Sequence, residues 1–351
     1  MRNILVLRGG ALGDFIVTLP ALAMLRARWP SARIELVGNA RAAELGRARG
    51  LLDAVHSQHE ARWAALFGEA TLPGEVAAQL VAFDLVVNYW PDPDGVLGQR
   101  FPIRAGQIYL PAPAMPGRAP AAAHYCAGLK PLGLETKNYF FPIAPVALRV
   151  SAGNVPPLTR RATIAIHPGS GSPRKNWPME RWLELIAELE APVLLILGEA
   201  ESERWIPIVE GHDSREPPLL GERTRLACSL RRLAGGGSKS LGETPKPARG
   251  TRALPEPSEP ADHAIRLAVD LPLEELIREL NACRLYLGHD SGVSHLAAAC
   301  GLPCVLLFGP TDPAMWAPPA PGVRVLRRGE DLAAIAVEEV LREVAALADR
   351  T

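Results

Sequence analysis

Four short stretches gather side chains that can do chemistry on charged oxygen ligands. The longest, His167-Pro168-Gly169-Ser170-Gly171-Ser172-Pro173-Arg174-Lys175, follows an apolar run. Its glycines and serines offer backbone N–H groups and hydroxyls that can wrap an anion, and Arg174 and Lys175 add positive charge. Trp177-Pro178 then opens an amphipathic stretch, with proline suited to the first helical turn. The lysine does not follow the last glycine of a G-x-x-x-x-G-K-[ST] frame, so this is no Walker loop. The favoured reading is a diphosphate cradle, with Ser170 and Ser172 as donors and Lys175 as counter-charge. The alternative is an exposed turn with unrelated cations.

In the second stretch Asp290 ends an apolar run, and Ser291 and Gly292 open a helix that Gly301 and Pro303 close. A helix N-terminus presents unpaired N–H groups and partial positive charge, a seat for phosphate. His295 lies one turn along on the same side. Capping accounts for Asp290 or Ser291 singly, but not for D-S-G-x-x-H together. The third stretch is Arg8 to Phe15, RGGALGDF. Gly9, Gly10 and Gly13 allow close backbone approach and unusual dihedrals. Their spacing is not G-x-G-x-x-G, and no acidic residue ends a second strand, which argues against a dinucleotide site. Asp14 stands where this loop enters a helix. It suits a helix N-cap or a carboxylate that takes a proton from a bound hydroxyl, and spacing leaves both open. In the fourth stretch, Leu197 to Glu203, Glu199 directly follows a strand, placed to accept from a ribose or to favour a helix N-terminus. Downstream, FGPTDPAMWAP adds a rigid rim with Thr311 and Asp312 as polar contacts.

These loops need strands to hold them. The spacing predicts strands at Asn3–Arg8, Ala32–Gly38, Ala54–Ser57 and Phe83–Tyr89, with helices at Phe15–Arg28 and Arg41–Arg47. Residues 91–120, rich in proline and glycine, read as loops around the site. A linker is placed at 149–162, within a proline-bearing stretch of little periodicity. The alternation restarts with strands at Ala162–His167, Val193–Gly198, Leu285–Asp290, Cys304–Gly309 and Val323–Arg327. Helices are expected at Met179–Glu190, Leu273–Ala282, Gly292–Cys300 and Ala333–Asp349. Apolar strands alternating with helices argue for parallel sheets covered on both faces. The expected class is α/β, with an N-terminal domain at 1–148, a C-terminal domain at 163–330 and a terminal helix over 331–351. Residues 211–262, with GGGSKS and frequent proline, carry few large apolar side chains and read as a disordered insertion.

Composition narrows the function classes. A chain of 351 residues suggests two domains. Lys+Arg and Asp+Glu both number 38, so there is no basic field for nucleic acid. Five cysteines without a C-x-x-C pair suit a reducing compartment, neither a disulfide framework nor a zinc site. Arg8, Gly9, Gly10 and Asp14 interrupt the N-terminal apolar run, unlike a signal peptide. No stretch reaches the ~20 apolar residues of a membrane span. The expectation is a cytoplasmic protein, with association to the inner face of the inner membrane compatible.

Taken in order, five motifs resemble glycosyltransferase family nine, the ADP-heptose:lipopolysaccharide heptosyltransferases. They are G-D-x-x-x-x-x-P from Gly13 to Pro20, L-R-x-x-x-P from Leu25 to Pro30, H-P-G-S-x-S-x-x-K-x-W-P, D-S-G-x-x-H-L-A-A-A and F-G-P-T-D-P. The resemblance covers 1–210 and 263–330 in outline. It implies a GT-B fold, two Rossmann-like domains facing a cleft, with the acceptor on the N-terminal half and the nucleotide sugar on the C-terminal half. Carried over by motif position, Asp14 is the general base. Ser170, Ser172, Lys175, Ser291 and Gly292 hold the diphosphate, and Glu199, Asp290 and His295 line the sugar–nucleotide site. The implied reaction is metal-independent, inverting transfer from ADP-heptose to a lipid-linked or oligosaccharide acceptor of the lipopolysaccharide core or a related surface glycan. No cofactor is implied. The rival readings are a GT-B transferase using another nucleotide sugar, a non-catalytic nucleotide-sugar binder and, more distantly, a Rossmann oxidoreductase.

Overall fold

The computed structural model describes residues 1–67, 72–117, 120–144, 163–209 and 265–348. The expected linker at 149–162 and insertion at 211–262 lie outside the described residues. Two all-parallel sheets form the frame. The N-terminal sheet comprises β1 (Asn3–Arg8), β2 (Arg33–Gly38), β3 (Ala54–Ser57), β4 (Leu85–Asn88) and β5 (Ile108–Pro111), in spatial order β3-β2-β1-β4-β5. The C-terminal sheet comprises β6 (Ile164–His167), β7 (Val193–Leu197), β8 (Ile265–Val269), β9 (Leu285–His289), β10 (Cys304–Phe308) and β11 (Val323–Arg327), in order β11-β10-β9-β6-β7-β8. Central strands are apolar on both faces because helices cover both. Ile4, Leu5, Val6 and Leu7 are all buried, as are Leu194 and Leu195.

Strand order reverses between β1 and β4 in the first sheet and between β6 and β9 in the second. Ligands in such sheets bind outside the carboxyl ends of strands at these switch points. The loops singled out from the sequence leave those strands: Gly9–Ala11 after β1, Pro168–Pro178 after β6, and Asp290-Ser291 after β9.

Three expectations are corrected. The helix expected at Phe15–Arg28 is two helices, Leu12–Ile16 and Leu19–Arg28. Pro20 sits in the first turn of the second; it lacks an N–H and cannot continue a helix from Phe15 through Arg28. Residues 91–120 are not all loop, for they contain the Val96–Arg100 helix and β5. The terminal helix starts later than expected. A short 3-10 turn at Leu332–Ala334, capped by Asp331 on the Ala333 N–H at 2.9 Å, precedes a helix at Val337–Ala348. That helix buries Val337, Val340, Val344 and Leu347 in the outer core of the C-terminal domain.

Each domain has an outer core of its own, but the inner core is shared. One buried cluster runs from Phe15, Leu22 and Ala43 of the N-terminal domain to Leu276, Leu296 and Phe308 of the C-terminal domain. Polar ties cross the same boundary. The Ile143 N–H donates to the Ala299 carbonyl at 2.7 Å. Arg49, almost wholly buried, meets Glu274 at 2.7 Å and donates to the Ala144 carbonyl at 3.0 Å. Arg41 reaches Asp270 at 2.9 Å.

Candidate active site

The domains meet at a seam of glycines. The Leu12–Ile16 helix of the first domain abuts the Gly292–Ala299 helix of the second. A Cβ on Gly13 would lie 3.3 Å from His295 Cδ2 and 3.4 Å from Gly292 Cα. A Cβ on Gly292 would lie 2.8 Å from Leu12 Cβ and 2.9 Å from the Gly13 nitrogen. Only residues without side chains bring the two backbones this close. The close approach expected of Gly13 is therefore made to the opposite domain.

Asp14 follows directly. It does not hold the N-cap position, which belongs to Ala11; it lies inside the first turn of the Leu12–Ile16 helix. Its Oδ2 accepts the Ala11 N–H at 2.9 Å, so the carboxylate still serves the helix start. Gly10, at φ +101°, makes room for it: a Cβ there would sit 2.7 Å from the Asp14 carboxyl carbon. The side chain remains 34% exposed, accessible to a reacting hydroxyl.

Arg8, which the sequence reading left without a role, stands behind Asp14. It ends β1 yet is buried. Its Nε donates to Thr18 Oγ1 at 3.0 Å, and its Nη2 donates to the Asp14 carbonyl at 3.1 Å and to Asp14 Oδ1 at 3.4 Å. The guanidinium lies 4.4 Å from the Tyr125 ring centroid, a cation–π contact. A cation closing an otherwise apolar strand was the available signal.

On the C-terminal side, Lys175 ends a short 3-10 turn at Pro173–Lys175. Its Nζ reaches Asp290 Oδ2 at 2.7 Å, tying the loop after β6 to the end of β9. The same loops are joined deeper down. His289 Nε2 accepts the Trp177 N–H at 2.8 Å, so its Nδ1 carries the proton and faces the Gly169 carbonyl at 3.4 Å. Burial pushes the His289 imidazole down to about 3, with nearby His167 acting the same way. His167 is held by its Nδ1 donating to the Ile196 carbonyl at 2.9 Å, and burial lowers it as well. His295 is lowered chiefly by burial, although Asp290 and Asp14 pull the other way. The hydrogen bonds of His167 and His289 fix which ring nitrogen carries the proton.

The serines are more occupied than their motif suggests. Ser170 Oγ donates to the Ser172 carbonyl at 2.8 Å or to Asn176 Oδ1 at 2.6 Å, which shapes the loop. Ser291 is the helix N-cap, its hydroxyl accepting the Ser294 N–H at 3.3 Å. Their side chains build the cradle, while the N–H groups of the 292–299 helix start remain to meet an anion. Glu199 is exposed and does not line the cleft. Glu201, two residues on, does, and its Oε2 accepts the Gly198 N–H at 3.0 Å. Glu199 is the first acidic residue after the strand, but the helical turn directs Glu201 inward instead. Asp312 caps its own short helix through the Ala314 N–H at 2.9 Å, and Thr311 Oγ1 is buried with no hydrogen-bond partner among the described residues.

A cavity of about 350 Å³ opens between the domains beside the seam. Its polar lining includes His167, Ser170, Glu201 and Ser291, and its apolar floor Ile196, Ala268, Leu271 and Leu276. The N-terminal domain closes it with Leu12, Asn39 and Arg41. Donors at one end and an apolar floor at the other suit a ligand with an anionic part and a flat apolar part. Among the described residues no group of three metal-ligating side chains converges, and no helix is long and apolar enough to cross a membrane. The single D-x-D spacing, Asp92-Pro93-Asp94, lies in the N-terminal domain, where both Asp92 oxygens accept backbone N–H groups, from Leu97 and Gly98, at 2.9 Å each.

Comparison with known proteins agrees with the motifs. Residues 248–342 match the family model described as glycosyltransferase family 9 (heptosyltransferase). No curated protein matches the chain by sequence. Among solved structures, the fold is similar to a glycosyl transferase family 9 protein from Veillonella parvula DSM 2008, at 19% identity, over 100% of this chain and 98% of that one, with a TM-score of 0.67. It is also similar to the E. coli ADP-heptose lps heptosyltransferase II, at 19% identity, over 100% and 99% of the two chains, with a TM-score of 0.63. The E. coli heptosyltransferase WaaC with ADP aligns at 18% identity over 98% and 99%, with a TM-score of 0.62. The architecture is that of the GT-B glycosyltransferases, as the motifs implied.

Proposed function

We propose, with a C-terminal domain carrying the family 9 glycosyltransferase match as the premise, that this chain transfers a sugar from a nucleoside diphosphate to an acceptor hydroxyl with inversion. The donor is read as ADP-heptose and the acceptor as the lipopolysaccharide core or a related surface glycan. One observation carries the reading. The glycine seam brings an accessible carboxylate of one domain, Asp14, beside the Lys175–Asp290 pair, His295 and a helix N-terminus of the other.

The division of labour follows from this geometry. The diphosphate sits at the start of the 292–299 helix, where N–H groups and the helix dipole meet its charge. Lys175, held at 2.7 Å from Asp290, stands beside it and offsets the charge that grows on the leaving group in the transition state, where fixed donors act most strongly. The nucleoside occupies the adjacent cavity, its base on the apolar floor and Glu201 at its polar edge. Asp14, with Arg8 holding its orientation, accepts the proton of the attacking hydroxyl as the new glycosidic bond forms and the bond to the diphosphate breaks. Lys175 and the helix start are the groups that make the reaction metal-independent on this reading. The ADP preference is supported by WaaC, which was solved with ADP and with ADP-2-deoxy-2-fluoro heptose.

A thermal-shift series with ADP-, UDP-, GDP- and dTDP-linked sugars tests the donor. A ligand at one hundred times its Kd stabilises by about 2.7 kcal/mol, and the ADP-linked sugar is expected to give the largest shift. A larger shift from a UDP-sugar would move the chain to a GT-B transferase of different donor, and no shift from any would remove the transferase reading.

A further inference from the structure

Two ion pairs cross the domain boundary along one helix. The Ala40–Ala48 helix of the N-terminal domain packs against the Leu273–Asn281 helix of the C-terminal domain. Arg41 lies in its first turn and Arg49 is its C-cap, about 12 Å apart at the helical rise per residue. Arg49 is pinned. Its side chain is 8% exposed, and besides meeting Glu274 it donates to the Leu45 and Ala144 carbonyls at 3.2 and 3.0 Å. Arg41 is held far more lightly. It meets Asp270 with both side chains more than half exposed, and its contact to the Leu271 carbonyl is long, at 3.4 Å.

The lightly held end is the end at the cavity. Arg41, Asp270 and Leu271 all line it. Arg41 Nη2 and Asp270 Oδ1 stand 2.9 Å apart, which leaves no space for a ligand between them. Asp270 carries a second mark. Its φ is +41°, and it is the one non-glycine residue of positive φ among the described residues. Its N–H is fixed on the Leu197 carbonyl at 2.9 Å, directly after β8. Asp enters the left-handed region more readily than most residues, but glycine does so without strain. The turn itself therefore does not call for an acid. What the acid adds is a carboxylate, and that carboxylate reaches across the domain boundary to Arg41. Strained backbone persists where the surrounding structure holds it, and it gathers at ligand clamps and switch regions.

We propose that Arg41 and Asp270 form a latch across the mouth of the cavity, which parts for a nucleoside diphosphate to enter or leave and closes again behind it. The Arg49–Glu274 end stays shut and serves as the pivot. An exposed ion pair is weak, so the latch sets the rate of exchange and not the affinity. It stands at the mouth whether the site is empty or filled, and so slows entry and exit alike. The proposal rests on the reading of this cavity as the nucleotide site.

The charge-neutral double variant Arg41→Gln/Asp270→Gly tests it on the full chain with ADP. Both side chains are exposed, and glycine takes the Asp270 conformation freely, so the melting temperature is expected to hold. Release is read from phosphorus NMR line shapes and Kd from calorimetry. Release is expected to quicken about two- to fivefold, the span of an exposed ion pair, with Kd unchanged to within about twofold. Each single substitution is expected to match the double variant, since either one opens the latch. Raising salt from about 0.05 to 0.5 M screens an exposed pair, so wild-type release is expected to approach that of the double variant. Unchanged release, a Kd that weakens in step with release, or single effects that add up in the double variant would each overturn the proposal. A wild-type chain that binds no ADP removes the nucleotide-site reading and the latch with it, whereas ADP binding with unaltered release in the variants removes the latch alone.

Discussion

The C-terminal wall of the cleft is a closed network, and the N-terminal wall presents one partly exposed acid, Asp14. On the first, Lys175 already meets Asp290, His289 is fixed between Trp177 and Gly169, and Ser170 and Ser291 shape their own loops. On the second, Asp14 is one third exposed and is backed by Arg8 and the Ala11 N–H. The contrast fits what each wall would recognise on the proposed reading. A diphosphate has constant shape and charge, so its donors can be fixed in advance, which lowers the reorganisation needed at reaction. An acceptor hydroxyl needs one correctly placed base and a surface shaped to the rest of the molecule.

The sharpest way to break this contrast is to remove the base. Asp14→Asn keeps the shape and removes the proton acceptor. Turnover is expected to fall about 10²–10⁴-fold, with the ADP-sugar thermal shift unchanged. Steady-state kinetics alongside that shift decide it; near-normal turnover would take Asp14 out of the mechanism. Next in size, Lys175→Gln removes one charge-assisted contact to the diphosphate, worth about 1.5–3 kcal/mol. The donor Kd should rise about 10- to 100-fold, measured by calorimetry, while turnover at saturating donor falls less than in Asp14→Asn. If Lys175→Gln instead matched the turnover loss of Asp14→Asn at unchanged donor affinity, the two walls would not divide binding from chemistry as argued.

The last effect is spread over a pH range and is read in stability rather than in turnover or donor affinity. His167, His289 and His295 belong to the C-terminal domain and are all lowered by burial. Their folded values lie below the ordinary 6.5, so the unfolded chain binds protons first as the medium acidifies. Their contribution to stability is complete above about pH 6.5 and is lost as pH falls toward the folded values, about 3 for His289. For His289 the slope is about 1.4 kcal/mol per pH unit within that window. Denaturant melts between pH 7 and pH 5 should therefore lose stability steeply, and His289→Asn should flatten the slope. A slope unchanged by that substitution would mean the ring is not held neutral.

Much of this arrangement was legible from residue order. The apolar runs at Asn3–Arg8 and Leu285–Asp290 could only be covered strands, and the glycine- and serine-rich stretches had to be the loops leaving them. Lys175, Asp290 and His295 do come together, at 2.7 Å for the first two. Two kinds of fact were hidden. Arg8 is one residue in a glycine-rich run, and only the fold puts Tyr125, more than a hundred residues away, under its guanidinium. Glu199 and Glu201 differ only in helical phase, which depends on where the helix begins, the feature local sequence specifies least. The Val96–Arg100 helix was hidden for a related reason: residues 91–117 lack periodicity, yet Asp92 organises that short helix by taking two N–H groups.

The glycine seam has a consequence for traffic. With the Gly13 and Gly292 backbones touching, no sugar or phosphate can pass between them, and the middle of the molecule is shut. Arg41 and Asp270, paired at 2.9 Å, stand at the mouth of the cavity on one side of that partition, so a nucleotide bound there on the proposed reading would come and go past that ion pair.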